Sequence, residues 1–199
     1  MPPRPPAGKE ALSAIGVATD AVIFTLRQEV LHVLLIQIKQ GLYARQWAFP
    51  GGIVRDGETS RQAAARILEL QTGVQDAYLE QLATFDAVDR DAARRVLSVA
   101  YFALIPDDGA TPRTTEKYLD VRWWPASKLP ALAYDHAEIA KVALQRLRSR
   151  LEYTNVVWNL LPAEFTLTEL QNTYEHILER SLDKRNFRKK ILALNLLVP

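Results

Sequence analysis

The stretch Gly52–Val74, GIVRDGETSRQAAARILELQTGV, decides how the rest of the chain is read. It begins in a glycine-rich loop, where Gly51, Gly52 and Gly57 supply backbone freedom that other residues lack. Thr59 or Ser60 then offers an N-cap, and the pattern predicts a helix running to about Thr72. Gly73 follows as the kind of residue that closes a helix in the left-handed conformation.

The spacing resembles the Nudix box: Gly, five residues, Glu, seven residues, then Arg-Glu-apolar-any-Glu-Glu-any-Gly-apolar. Gly52, Glu58, Arg66, Leu68, Gly73 and Val74 fall on that pattern. Three positions depart from it. Where the family carries metal-binding glutamates, this chain has Ile67, Leu70 and Gln71. Spaced i, i+3, i+4, they are expected to share one helix face. In an active Nudix enzyme that face holds Mg²⁺ against a diphosphate, and Mg²⁺ takes hard oxygen ligands, carboxylates above all. Ile and Leu offer no oxygen, and Gln only a neutral amide. Glu69 is a carboxylate, but it lies about 100° round the helix from the neighbouring ligand positions. The resemblance with these departures implies a binder rather than an enzyme, with no catalytic residue, no metal and no cofactor.

Outward from this stretch, the N-terminal side reads as strands. Trp47–Pro50 leads into the glycine-rich loop, and Gln40–Gln46 is a polar loop holding Tyr43 and Arg45. Ile15–Leu26 and Val30–Lys39 are rich in β-branched and apolar residues and predict two strands, joined as a hairpin at Arg27-Gln28-Glu29. The first residues, MPPRPPAGKE, are Pro-rich, and 1–12 is read as a disordered tail. On the C-terminal side, strands are predicted within Ala77–Val88, over Val96–Ile105 and over Tyr118–Trp124, around a charged loop, Asp89–Arg95. Asp135 is a candidate cap for a helix over His136–Arg150, with Ile139, Ala143 and Leu147 on one face. This order makes an α+β or α/β sandwich, a mixed sheet between helices.

Composition excludes several classes. The chain has 199 residues, enough for one sizeable core and a second small module. It has no cysteine, which removes disulfides and thiolate chemistry. His32, His136 and His176 are scattered and do not read as a zinc site. A net charge of +2 does not by itself argue for nucleic acid. No apolar run approaches membrane-spanning length, so a cytoplasmic protein is expected.

From Leu151 onward the texture changes. Three short helical patterns follow: Leu151–Leu161, ended by Pro162; a second from Thr166, where Thr166 and Glu169 have capping-box spacing; and a third after Asp183. The third puts Phe187, Ile191 and Leu194 on one face and Lys184, Arg185, Arg188, Lys189 and Lys190 on the other, with Asn195 as its terminator. This is the pattern of a helix-turn-helix with a basic recognition helix, although a charged helix face is also what solvation alone produces.

The run LPAEFTLTELQNTYEHILERSLDKRNFRKKIL, Leu161–Leu192, resembles the C-terminal winged helix of the Nudix-related transcriptional regulator family (NrtR type). Leu132–Arg150 resembles that family's linker helix. The resemblance implies a Nudix-like ligand-sensing domain over 13–150 and a winged helix-turn-helix domain over 151–199. It implies a homodimeric regulator, often a repressor, whose Nudix half senses ADP-ribose and whose winged helices bind double-stranded operator DNA, usually beside NAD-biosynthesis genes. Relatives that sense pentose sugars are an alternative, and so is a working Nudix hydrolase of ADP-ribose-like substrates. The family's two-stranded wing has no counterpart before Pro199, so it is lost or the sequence is incomplete.

Candidate ligand-binding residues are Arg45, Gly52, Arg55, Glu58, Arg66, Arg90 and Arg95, because guanidinium forks match phosphate oxygens. Tyr43, Trp47 and Phe85 are candidates to stack on a base. Structural readings stand beside these: Glu58 with Arg66 ordering the loop, Trp47 in the core, and Arg90, Arg94 and Arg95 on a solvated loop tip. Candidate DNA contacts are Thr168, Lys184, Arg185, Asn186, Arg188 and Lys189.

Overall fold

The structure, a computed structural model, describes residues 14–107, 111–153, 155–194 and 197. The Pro-rich tail, the Asn195 terminator and the question of a wing lie outside the described residues.

Strands β1 (Gly16–Arg27), β2 (Val30–Ile38), β3 (Trp47–Ala48), β4 (Gly51–Ile53), β5 (Tyr78–Phe85), β6 (Val96–Leu104) and β7 (Tyr118–Pro125) form one mixed sheet. Its main path is β3-β2-β1-β6-β5, with β4 on β1 and β7 on β2. Only the β1–β6 pair in it is parallel. Alternation along the central strands sorts side chains to two faces. Ala21, Ile23, Tyr101 and Ala103 pack against helix α1 (Ser60–Thr72). Val22, Phe24, Ala100, Phe102 and Leu104 pack on the other side, beneath α2 (His136–Tyr153). The predicted glycine-rich loop differs in one respect: Gly51–Ile53 pairs antiparallel with Ala18–Asp20 as a short strand.

The β1–β2 turn places Gln28 and Glu29 at φ of 48° and 63°, two consecutive left-handed residues that follow the twist of a tight hairpin. β1 and β2 then stay paired only from Arg27↔Val30 to Phe24↔Val33. Beyond that point they part, β1 pairing with β4 and β2 with β3, while β7 runs along β2 from His32 to Ile38. The fork between them opens a cavity.

The predicted helix over Leu151–Leu161 is divided. Leu151 continues α2, because Leu147 and Leu151 lie one turn apart on its buried face. A short 3₁₀ helix, Val156–Leu160, follows, and Leu161 before Pro162 is extended (φ −103°, ψ 157°), as the proline ring demands of its predecessor. Helix α3 (Leu167–Leu178) starts at the Thr166–Glu169 capping box, and α4 (Lys184–Ala193) at Asp183. Phe187 and Ile191 are buried; Leu194, expected beside them, is 46% exposed, because α4 ends at Ala193. Both halves share one apolar cluster, which runs from Phe24 and Phe102 through Leu147 and Leu151 to Leu170, Tyr174, Phe187 and Ile191.

Candidate functional site

The cavity at the β1–β2 fork has a volume of about 200 Å³. Ala18 and Asp20 of β1, Ile36 and Ile38 of β2, Gly51–Ile53, Arg90, Arg94, Tyr118, Tyr134 and His136 line it. Asp20 interrupts an otherwise apolar strand, and a buried carboxylate must be paired to be tolerated. It accepts a hydrogen bond from Ser98 Oγ (2.6 Å), meets the Arg90 guanidinium at 3.3 Å and lies 3.5 Å from His136 Nε2. Burial works to raise the Asp20 carboxyl, but His136, Ser98 and Arg90 more than offset it and hold the group below its usual range. The Phe49 N–H donates to His136 Nδ1 at 2.9 Å, which leaves the ring proton on Nε2, facing Asp20.

Arg90 is the hub of this floor. Only 7% exposed, it donates through Nε and an Nη to the two oxygens of Asp135, at 2.8 and 2.7 Å. The solvated-tip reading therefore fails for Arg90, while Arg94 does lie out in solvent. Asp135 precedes α2 as expected, but its carboxylate faces Arg90, and the helix opens on bonds from Glu138 and Ile139 N–H to the Asp135 carbonyl. Gly51 owes its identity to the same floor: a Cβ there would sit 2.1 Å from an Asp20 oxygen.

The other candidate residues lie apart from this floor. Gly52 lines the cavity. Glu58 accepts from the Arg55 N–H (2.8 Å) and from Arg66 Nε (3.0 Å), which ties the loop to α1. Those bonds, Arg66 first, hold the Glu58 carboxyl at about 2. Arg55 and Arg45 are exposed, and Arg45 has a φ of 68°. Arg95 donates to the carbonyls of Asp86 and Ala87 and so closes the base of the charged loop. Among the stacking candidates, Trp47 meets Trp124 edge-on at 5.2 Å, Phe85 packs on the core, and Tyr43 leans on Tyr134 with ring centroids 4.1 Å apart.

On α1 the three degenerate positions do not share one face. Ile67 (4% exposed) and Gln71 (1%) turn inward, and Ile67 joins the core beneath the sheet; Leu70 turns out at 52%. The 60° between positions three apart straddles the buried edge of the helix. A magnesium ion does not fit these side chains, since none is a carboxylate and two are sealed from solvent. Among the described residues no group of three or more histidine or carboxylate side chains converges on a metal position.

The second surface is basic. Lys184, Arg185, Asn186 and Lys189 are exposed on α4, and Arg188 reaches Thr168 Oγ1 of α3 at 3.3 Å. The α3–α4 packing that sets this surface is Tyr174 edge-on to Phe187 at 5.2 Å.

Three connections tie the two surfaces together. Glu80 of β5 accepts from Arg146 and Arg150 and straps α2 to the sheet. Arg148 of α2 donates to the Ile177 carbonyl (3.0 Å) and to Glu179 (2.7 Å) at the end of α3. Asn172 of α3 donates to Glu29 on the hairpin turn at 3.3 Å.

Residues 15–147 match the NUDIX domain model, and residues 157–199 match the NrtR DNA-binding winged helix domain. The ADPR-responsive transcriptional repressor NtrR of Acinetobacter baylyi is 36% identical over 88% of this chain and 72% of its own length. The chain belongs to the NrtR family. Its structural likeness to NrtR family members runs through both halves. The Shewanella oneidensis NrtR complexed with a 27mer DNA superposes with a TM-score of 0.82 at 31% identity, over 92% of this chain and 84% of that one. The NUDIX domain of that NrtR complexed with ADP ribose gives 0.61 at 32% identity, over 71% and 94%. Among the described residues, no helix is long and apolar enough to cross a membrane.

Sequence reading missed Asp20, Tyr118, Tyr134 and His136 as cavity residues. Asp20 carried a usable signal, a lone carboxylate inside IGVATDAVIF. The tyrosines carried none.

Proposed function

We propose that this chain is an ADP-ribose-responsive transcriptional repressor of NAD-biosynthesis or related genes, which binds its effector without cleaving it. The observation that carries the reading is the mechanical one: a small-molecule cavity and a basic α4 surface are connected through α2, one shared apolar cluster and the β1–β2 turn, and the sequence between α2 and the helices that follow holds no Gly/Ser-rich stretch. The relatives bound to DNA and to ADP ribose supply the two ligand classes.

In this reading the sensing unit spans 13–150 and the DNA-binding unit 151–199. Gly52 and Arg90 belong to the cavity, Arg45 and Arg55 are exposed cations for phosphate, and Arg95 serves the site by bracing the charged loop. Glu58 and Arg66 hold the loop. Thr168, Lys184, Arg185, Asn186, Arg188 and Lys189 face the operator. A homodimer then spans two half-sites roughly 34–36 Å apart. Ligand acts because it binds the DNA-competent and DNA-incompetent arrangements unequally. Ile67, Leu70 and Gln71 support binding without hydrolysis, since none can hold a hard cation.

Fluorescence anisotropy with the DNA upstream of its own operon tests this reading, titrated with and without ADP-ribose. ADP-ribose is expected to lower operator affinity; unchanged affinity at saturating ligand overturns the reading. The paired substitution Lys184→Ala, Arg185→Ala is expected to reduce the salt slope of binding by about 2, one per lost phosphate contact. A diphosphatase assay with Mg²⁺ and Mn²⁺ separates the binder from an active hydrolase that retained Gly52, Glu58 and Arg66.

A further inference from the structure

We propose that Tyr134 is the platform on which the nucleobase of the effector stacks, base inward and phosphates outward. This rests on the nucleotide-sensing reading above and assigns the orientation within it.

Backbone geometry singles out Tyr134. Among the described residues, the non-glycine positions with positive φ are Gln28, Glu29, Arg45, Tyr134 and Glu179. Gln28, Glu29 and Glu179 lie at the joint with α3, and Arg45 lies in the loop of Tyr43. Tyr134 is the one aromatic residue in that set, at φ 55°, a conformation disfavoured for a bulky side chain. That backbone holds its ring on the cavity wall, 37% exposed, backed by Tyr43 at 4.1 Å and flanked by His136 at 5.2 Å. Phe49, also on the wall, is 1% exposed and stacked on His136, so it offers no free face to a ligand.

Size and charge then fix the orientation. A cavity of about 200 Å³ lies below the range of about 300–1,000 Å³ for pockets that enclose a whole drug-sized ligand, so it admits one end of a nucleotide sugar. The floor sets the carboxylates of Asp20 and Asp135 against the single guanidinium of Arg90. A phosphate there would meet excess negative charge, whereas a neutral planar base would not. Arg94 lines the cavity with its side chain 62% exposed, where it can meet phosphates pointing outward. Tyr134 is next to Asp135 and His136, so a base seated on it bears on the first turn of α2.

The test titrates the full chain by calorimetry with ADP-ribose, AMP and ribose 5-phosphate. Three variants are compared: Tyr134→Phe, which keeps the ring; Tyr134→Leu, which keeps apolar bulk without a π face; and Tyr134→Gly, which suits left-handed backbone. Phe is expected to bind both nucleotides like the parent. Leu and Gly are expected to lose about tenfold or more for both, with any ribose 5-phosphate binding unchanged. Unaltered nucleotide binding in Leu and Gly overturns the platform, as does an equal loss for ribose 5-phosphate or a parent protein that binds neither nucleotide. AMP binding that depends on Tyr134, without ADP-ribose binding, removes the effector reading and leaves the platform standing.

Discussion

Two arginines in this molecule pair with carboxylates in opposite surroundings, and they do opposite work. Arg66 pairs with Glu58 at the edge of the glycine-rich loop, where water reaches both side chains. Arg90 pairs with Asp20 and Asp135 under the cavity, with 4% of its side chain exposed. The first pair belongs to a motif and shapes a loop. The second belongs to no motif, yet it joins β1 to the start of α2. An ion pair of similar geometry has far more at stake where solvent cannot replace a missing partner.

The largest effect expected from this contrast is at Arg90. Arg90→Met leaves two buried carboxylates facing each other and is expected to cost about 3–5 kcal/mol in urea unfolding. A loss under about 1 kcal/mol would mean that the floor is hydrated and the contrast is false. Adding Asp20→Asn and Asp135→Asn is expected to recover part of the loss, because the three groups are coupled.

Arg148 is the intermediate case, a half-buried arginine at the joint. Arg148→Ala is expected to leave nucleotide affinity near the parent value and to weaken the effect of ligand on DNA binding by about 0.5–2 kcal/mol. Measuring operator affinity at zero and saturating ligand checks it. Unchanged coupling would shift the connection to Asn172 and Glu29.

The smallest effect is at Glu58. Its folded value, about 2, lies below the usual 4.5, so its contribution is present above about pH 4.5 and is lost as pH falls towards 2. Glu58→Gln is expected to lower stability modestly at pH 7 and to leave it unchanged near pH 2, which flattens that part of the acid unfolding curve. A large loss at pH 7 would show the loop pair to matter as much as the buried one.

These three arginines also mark how far the sequence could be read. Strands and helices were legible because burial imposes period: Val22 and Phe24 to one side, Ala21 and Ile23 to the other. Capping made both Thr59 and Thr166 readable, since each satisfies an N–H three residues on. The box fixed the loop and α1 but misled about the face, because burial of Ile67 and Gln71 depends on how α1 lies on the sheet. Cavity residues come from six separate segments, around Asp20, Ile36, Gly51, Arg90, Tyr118 and Tyr134. Their convergence follows from the parting of β1 and β2, which strand pairing decides and local pattern does not record.

The hairpin turn at Gln28 and Glu29 has a practical consequence. Nature commonly fills such a corner with Asn-Gly, which accepts left-handed geometry with little penalty. Here two longer side chains occupy it, one of them touching α3. Rewriting these two positions as Asn-Gly should make the protein hardier to heat while making its transcriptional response blunter, a dial accessible to anyone building biosensors from this scaffold.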